Sequence, residues 1–241
     1  MWLGDHSKPP KIRKGADVGE MRILERIRHS VAAMPDLTLE TAYAKQLRVP
    51  LEAVCGIDEA GRGPWAGPVS AAAVILNPKH LPKGIDDSKR LTHAQREDLF
   101  DVIQDQALAS SLAMISAQEI DSTNILKATL KAMAMAAQGL NQVPSLALVA
   151  GNRTPDLICP AFCVVGGDHL SLSIAAASIL AKVARDRLMA EADDLYPGYG
   201  FAQHKGYGTK AHQDALARLG PSPIHRLSYK PVAKVLQSFQ D

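Results

Sequence analysis

The sequence predicts an α/β protein built on one mixed five-stranded sheet with helices on both faces. Two observations carry this. Five short apolar runs, each bounded by Gly, Pro or polar residues, have the length of strands. The first two are joined by a Gly/Pro turn, while later ones are separated by segments of helical periodicity, so antiparallel pairing gives way to crossovers. Apolar residues make up 46% of the 241 and charged residues 22%, enough for a sizeable core and too ordinary for wholesale disorder.

Each element has its own signal. Residues 1–50 read as an N-terminal extension. Its first 16 residues are polar and rich in Pro and Lys and are expected to be disordered. Over 17–33, Met21, Leu24, Ile27 and Val31 fall near one face of an amphipathic helix, and a connector runs on to Pro50. Residues 51–205 form the main domain. "AVCGID" is the first strand, "GRGPWAG" a turn, and "PVSAAAVIL" a second strand antiparallel to the first. "THAQREDLFDVIQDQA" is a helix with Thr92 as N-cap. "SSLAMISA" is the third strand. "ILKATLKAMAMAAQGL" is an apolar helix that ends near Gly139. "SLALVAG" and "AFCVVGG" are strands four and five. A long helix with small residues along one side follows, "LSLSIAAASILAKVARDRLMAEADDL". Residues 206–241 hold a last helix, "TKAHQDALARLG", and a basic tail.

The three cysteines, Cys55, Cys159 and Cys163, are odd in number and lack metal-ligand spacing, which fits reduced thiols in a cytoplasmic setting. No apolar run reaches the length of a membrane span, and the N-terminus lacks the apolar core of a secretory signal. A net charge of +2 permits a polyanionic partner without demanding one.

The chemistry gathers at strand ends. In "GIDEAGRG", Asp58 and Glu59 close the first strand. Adjacent acids repel, and a divalent cation with oxygen ligands would offset that repulsion. The plainer alternative is a turn-capping aspartate beside an exposed glutamate. Asp168 follows strand five across "GG", where it can ligate a cation, cap the long helix, or do both. The end of strand four is the natural place for another ligand, yet that position is Ala150.

Together these residues resemble the type 2 ribonucleases H, specifically bacterial ribonuclease HII. The resemblance rests on "GIDEAGRGPWAGPVSAAAVIL", "DDSKRLT", "NILKATLKAM", "GNR", "GGD", "SIAAASILAKVARDR", "FAQHKGYGT" and "SPIHR". These run in family order over about residues 54–230. "DEAGRG", "HKGYGT" and "AASILAKVARD" are the most specific of them. The resemblance implies a ribonuclease H-like fold with a small helical C-terminal part. It implies an endonuclease that uses Mg²⁺ or Mn²⁺ to cut 5′ of a ribonucleotide in RNA/DNA hybrids or in duplex DNA. Its catalytic and metal-binding carboxylates fall on Asp58, Glu59, Asp168 and position 150. The family's aspartate there is Ala150 here, so low turnover with retained nucleic-acid affinity is expected. Deliberate replacement and natural loss both account for it, and the intact surroundings favour the first.

The resemblance also assigns Gly61, Arg62 and Gly63 to sensing the 2′-hydroxyl through backbone groups, and Tyr207 to packing on the neighbouring nucleotide. By themselves, a tight turn and a core tyrosine are the bland alternatives. Lys89 and Lys182 are candidate phosphate contacts, although Lys182 and Asp186 also have the i, i+4 spacing of a helix-surface ion pair. His225 and Arg226 either touch phosphate or cap the fold. A monomer is expected, with a two-metal site at which cations about 3.5–4 Å apart activate water and steady the leaving oxygen.

Overall fold

The structure, a computed structural model, describes residues 34–239. The disorder expected over 1–16 and the helix expected over 17–33 lie outside the described residues. Five strands form one sheet: β1 (Val54–Ala60), β2 (Val69–Ile75), β3 (Ala109–Ile115), β4 (Leu146–Ala150) and β5 (Ala161–Val164), in the order β3-β2-β1-β4-β5. β2 is antiparallel to both β1 and β3, and β1–β4 and β4–β5 are parallel. This is the mixed sheet the pattern predicts.

The helices are α1 (Thr38–Leu47), α2 (His93–Gln106), α3 (Ala117–Ser122), α4 (Ile125–Gln138), α5 (Gly167–Leu170), α6 (Leu172–Leu195), α7 (Phe201–His204), α8 (Lys210–Leu219) and α9 (Lys230–Ser238). Thr92 caps α2 through a full capping box with Gln95, and Gly139 ends α4, both as expected. α4 lays Ala128, Ala132, Met133 and Ala136 on one face of the sheet, against Ile57, Ala71, Ala73 and Val149. α6 covers the other face with Ala175, Ala176, Ile179 and Leu180, joined by Leu99, Phe100 and Ile103 of α2. The small residues let α6 come close: a Cβ on Gly56 of β1 would lie 2.2 Å from the backbone of Ser173.

Three places differ from the sequence reading. Residues 34–50 are more than a connector, because α1 buries Leu39 and Tyr43. Its Glu40 is also buried, and Oε1 accepts hydrogen bonds from the Ser171 hydroxyl (2.6 Å), the Ser173 hydroxyl (2.7 Å) and the Ser173 amide (2.9 Å). Burial pushes the Glu40 carboxyl above its ordinary pKa. The basic tail winds into α9, whose first turn accepts Pro231 because that N–H would have no helical partner. Finally, Asp168 does not cap α6. That cap is Ser171, whose hydroxyl accepts from the amide of Ile174, and Asp168 sits one turn earlier in α5.

Candidate active site

The carboxyl ends of parallel β1 and β4 open into a cleft of about 400 Å³, the usual place for a ligand in an open α/β sheet. Asp58, Glu59, Gly61, Arg62, Gly63, Lys89, Ala150, Asp168, Lys182 and Tyr207 all line it. These ten are thus brought to one depression, whereas His225 and Arg226 are buried and do not line it.

Alternation along β1 sends its two acids to opposite faces of the sheet. Ile57 packs toward α4, so Asp58 shares the α6 face with Gly56. Glu59 points toward α4, where Thr129 and Met133 line a shallow extension of the cleft with it. Because the strand is ending, both reach the same opening. Asp58 is buried, and its Oδ1 accepts only locally, from the Glu59 amide at 2.8 Å. Burial, then repulsion from Glu59 and Asp168, holds its carboxyl well above the usual carboxylate range.

Ala150 is the last residue of β4 and lines the cleft. Val149 pairs with Ile57 in the parallel register, so residue 150 lies beside residue 58 on the same face of the sheet. Gly151 follows with φ +97° and open space around it, a conformation that favours glycine. A longer side chain at 150 would have room to face Asp58.

Two lysines bring positive charge, and both already have partners. Lys89 Nζ donates to Asp168 Oδ2 at 2.8 Å and lies 3.9 Å from Asp87. That hydrogen bond raises the Lys89 pKa. Lys182 Nζ donates to Asp186 at 2.7 Å, which is the ion pair its spacing allows. Arg62 reaches Glu59 at 3.2 Å. Among the described residues, the side chains whose potential ligand atoms lie within 4.8 Å of one another are Asp87, Asp168 and His169. Asp87 and His169 were not picked out by sequence, where "DDSK" and "GGDH" were read for one residue each. The acids fit a hard divalent cation on two counts: all offer oxygen, and Asp58 carries a repulsion that a cation would relieve.

The turn after β1 is held from behind by two buried arginines. Arg226 donates to the carbonyls of Gly61 (2.5 Å), Arg62 (2.9 Å), Gly67 (3.0 Å) and Pro68 (3.1 Å). Arg185 donates to the carbonyls of Pro68 (2.8 Å), Ala66 (3.0 Å) and Lys205 (3.0 Å). Among the described residues neither forms a salt bridge with a carboxylate, and burial lowers both pKa values, Arg185 to about 10. Of the two roles read for Arg226, phosphate contact is corrected, since its side chain is spent inside the fold.

The clamp separates the two glycines. Gly61 has φ +91°, and a Cβ there would strike Arg185 Nε at 2.0 Å, so folding alone demands it. Gly63 has no such constraint: the nearest atom to a Cβ built there is Tyr207 Cε1, at 3.7 Å. Tyr207 is 46% exposed, which removes the core-tyrosine alternative. Gly206 and Gly208 on either side are needed for packing, as side chains there would meet the Ala66 carbonyl at 2.5 Å and the Trp65 ring at 2.2 Å.

Comparisons with known proteins bear on the family and the fold. The profile of the ribonuclease HII family matches residues 55–232. Ribonuclease HII from Caulobacter vibrioides (strain NA1000 / CB15N) is 55% identical over 202 residues, covering 84% of this chain and 93% of its own. Among solved structures, ribonuclease H2 from Pyrococcus horikoshii OT3 superposes with a TM-score of 0.66 at 26% identity, over 78% of this chain and 99% of that one. Bst-RNase HIII, solved in complex with Mn²⁺, shares the fold with a TM-score of 0.65 at 17% identity, over 77% of this chain and 69% of its own.

Proposed function

We propose that this chain, which belongs to the ribonuclease HII family, acts on RNA/DNA hybrids and on single ribonucleotides embedded in duplex DNA, cutting 5′ of the ribonucleotide. The observation that carries this reading is the single cleft: carboxylates at one side, a backbone turn and an exposed tyrosine at the other.

Asp58, Glu59 and Asp168 would hold Mg²⁺ or Mn²⁺. Such a cation, when bound, supplies charge stabilisation at the phosphate and a more acidic water. The chain's own residues do the rest. Gly61, Arg62 and Gly63 present backbone groups to the ribose, and the cleft they line beside Tyr207 admits the sugar. Tyr207 stacks on the adjacent nucleotide. Lys182 and Lys89 lie where phosphate would pass, and Lys89 steadies Asp168 meanwhile. The setting proposed is the cytoplasm, with the chain as a monomer.

Ala150 stands where the family's remaining carboxylate is proposed to sit. With no oxygen at that point, turnover is expected to be very low while binding persists. A second reading, a silent binder of ribonucleotide-containing DNA, is favoured by this same residue. One experiment separates them. Ala150→Asp protein is incubated with Mg²⁺ and a duplex carrying one embedded ribonucleotide, beside an all-DNA control. A single nick 5′ of the ribonucleotide and an intact control are expected. No cleavage by that variant supports the silent binder, and cleavage of the control refutes the substrate assignment.

A further inference from the structure

The Tyr207 loop is tied to the C-terminal segment by groups that the proposed chemistry leaves unused. The amide of Ser222 donates to Nδ1 of His225 at 2.9 Å, and the Ser222 hydroxyl lies 2.8 Å from the same nitrogen. His225 Nε2 lies 2.9 Å from His212 Nε2. His212 Nδ1 lies 3.0 Å from the carbonyl oxygen of Tyr207. The ends of this chain dictate its protons. An amide N–H can only donate, so His225 accepts at Nδ1 and carries its proton on Nε2. A carbonyl can only accept, so His212 carries its proton on Nδ1 and accepts at Nε2. The central contact then has one donor and one acceptor, from either direction of reasoning.

Both imidazoles are buried, and burial lowers each pKa to about 4, which keeps them neutral and the tautomers intact. His204 stacks on His212 with ring centroids 4.4 Å apart, and its own Nδ1 accepts from the Gly206 amide at 3.1 Å. The loop needs such support. Lys205 adopts φ +53° and Gly206 φ +82°, and the Tyr207 ring projects into the cleft beside Gly63. An aromatic ring exposed at its tip is aimed by its backbone, and the His212 donor, together with the Thr209 amide at 2.8 Å, fixes that carbonyl.

We propose that His225 and His212 form a tautomer-locked relay that aims Tyr207 and so serve as positioning residues for ribonucleotide discrimination. No proton is transferred along it. The proposal rests on the function proposed above.

The test uses the full chain with Ala150 in place, so that binding is read without cleavage. The measured quantity is the ratio of Kd values for an all-DNA duplex and the same duplex with one ribonucleotide. His212→Phe keeps the packing and removes the donor, and should lower the ratio about five- to tenfold, the worth of one hydrogen bond. His212→Asn places an amide N–H where Nδ1 was and should restore most of it. His212→Phe combined with Tyr207→Ala should be no worse than Tyr207→Ala alone, because one acts through the other. A ratio unmoved by His212→Phe, or additive losses in the double variant, overturns the relay. A parent chain with equal affinity for both duplexes refutes the proposed function itself. Should His212→Phe fail to fold, imidazole ¹⁵N–¹H correlations of the parent decide: Nδ1–H at His212 and Nε2–H at His225 are expected, and the reverse in either ring overturns the proposal.

Discussion

In the acidic half of the cleft, Asp58 is buried beside Glu59 and Asp168, and its carboxyl is driven toward the protonated form. In the half that carries the turn and Tyr207, Arg226 and Arg185 together meet six backbone carbonyls between residues 61 and 68 and at 205, and His212 meets another. One half is electrostatically unfinished; the other is fully hydrogen-bonded before any ligand arrives. On the proposed function, the difference suits the two halves to different tasks. A bound cation would then relieve the repulsion among these acids, so stability there would be given up for affinity. A surface that must distinguish one hydroxyl on a sugar has to be rigid in advance, and buried donors on carbonyls supply that rigidity.

The contrast breaks most sharply at Asp58. In an Ala150→Asp background, Asp58→Asn should lower the cleavage rate by on the order of a thousandfold or more, as expected for loss of a central charge-stabilising group. In the chain as it stands, the same change should raise stability without divalent cation by about 1–2 kcal/mol, or about 2–8 °C in Tm. Mg²⁺ or Mn²⁺ is expected to raise the Tm of the parent, and Asp58→Asn should erase that shift. Destabilisation by Asp58→Asn would show that the acids are not in conflict.

The opposite half should respond in the opposite sense. Arg226→Met leaves the carbonyls of Gly61 and Gly67 without their side-chain donor, while Pro68 keeps Arg185 and Arg62 keeps the Tyr229 hydroxyl, and should cost about 3–5 kcal/mol in denaturant unfolding. A cost below about 1 kcal/mol would mean that water replaces the guanidinium easily.

A pH series sharpens the comparison further. Burial lowers the pKa of His212 and of His225 from 6.5 to about 4 on folding. Between those values the unfolded chain binds more protons, so stability falls as pH drops from 6.5 to 4, by on the order of a few kcal/mol for the pair of rings together. Asp58 and Glu40 act the other way, since their raised pKa values favour the folded chain as acid is added. His225→Gln removes one titrating ring and keeps a donor toward His212, so its acid loss should be visibly shallower than the parent's. Parallel curves would contradict the neutral assignment.

The smallest effect concerns bulk electrostatics. Duplex affinity should weaken as salt rises, and Lys182→Ala should reduce the slope of log K against log salt by about one. An unchanged slope would restrict Lys182 to its pair with Asp186.

What was legible in sequence was local. Apolar runs and turn residues marked the strands, Thr92 and Gly139 marked helix ends, and "DEAGRG" and "HKGYGT" pointed to the cleft. The i, i+4 spacing of Lys182 and Asp186 foretold their contact. What escaped notice depends on partners far apart in the chain. Arg226 meets Gly61 across 165 residues, and Glu40 meets Ser171 across 131. No periodicity encodes such pairings, so "HR" near the C-terminus read equally as a phosphate contact or a cap. The relay was hidden for the same reason: tautomers are set by neighbours that only folding supplies.

The central claim is that residue 150 faces the acids and lacks the oxygen they need. It is tested most directly by comparing single-turnover cleavage of a duplex with one embedded ribonucleotide, in Mg²⁺, by this chain and by its Ala150→Asp form. A gain of on the order of a hundredfold to a thousandfold or more in rate, with little change in Kd, is the predicted result. Equal rates, at any level, would contradict it.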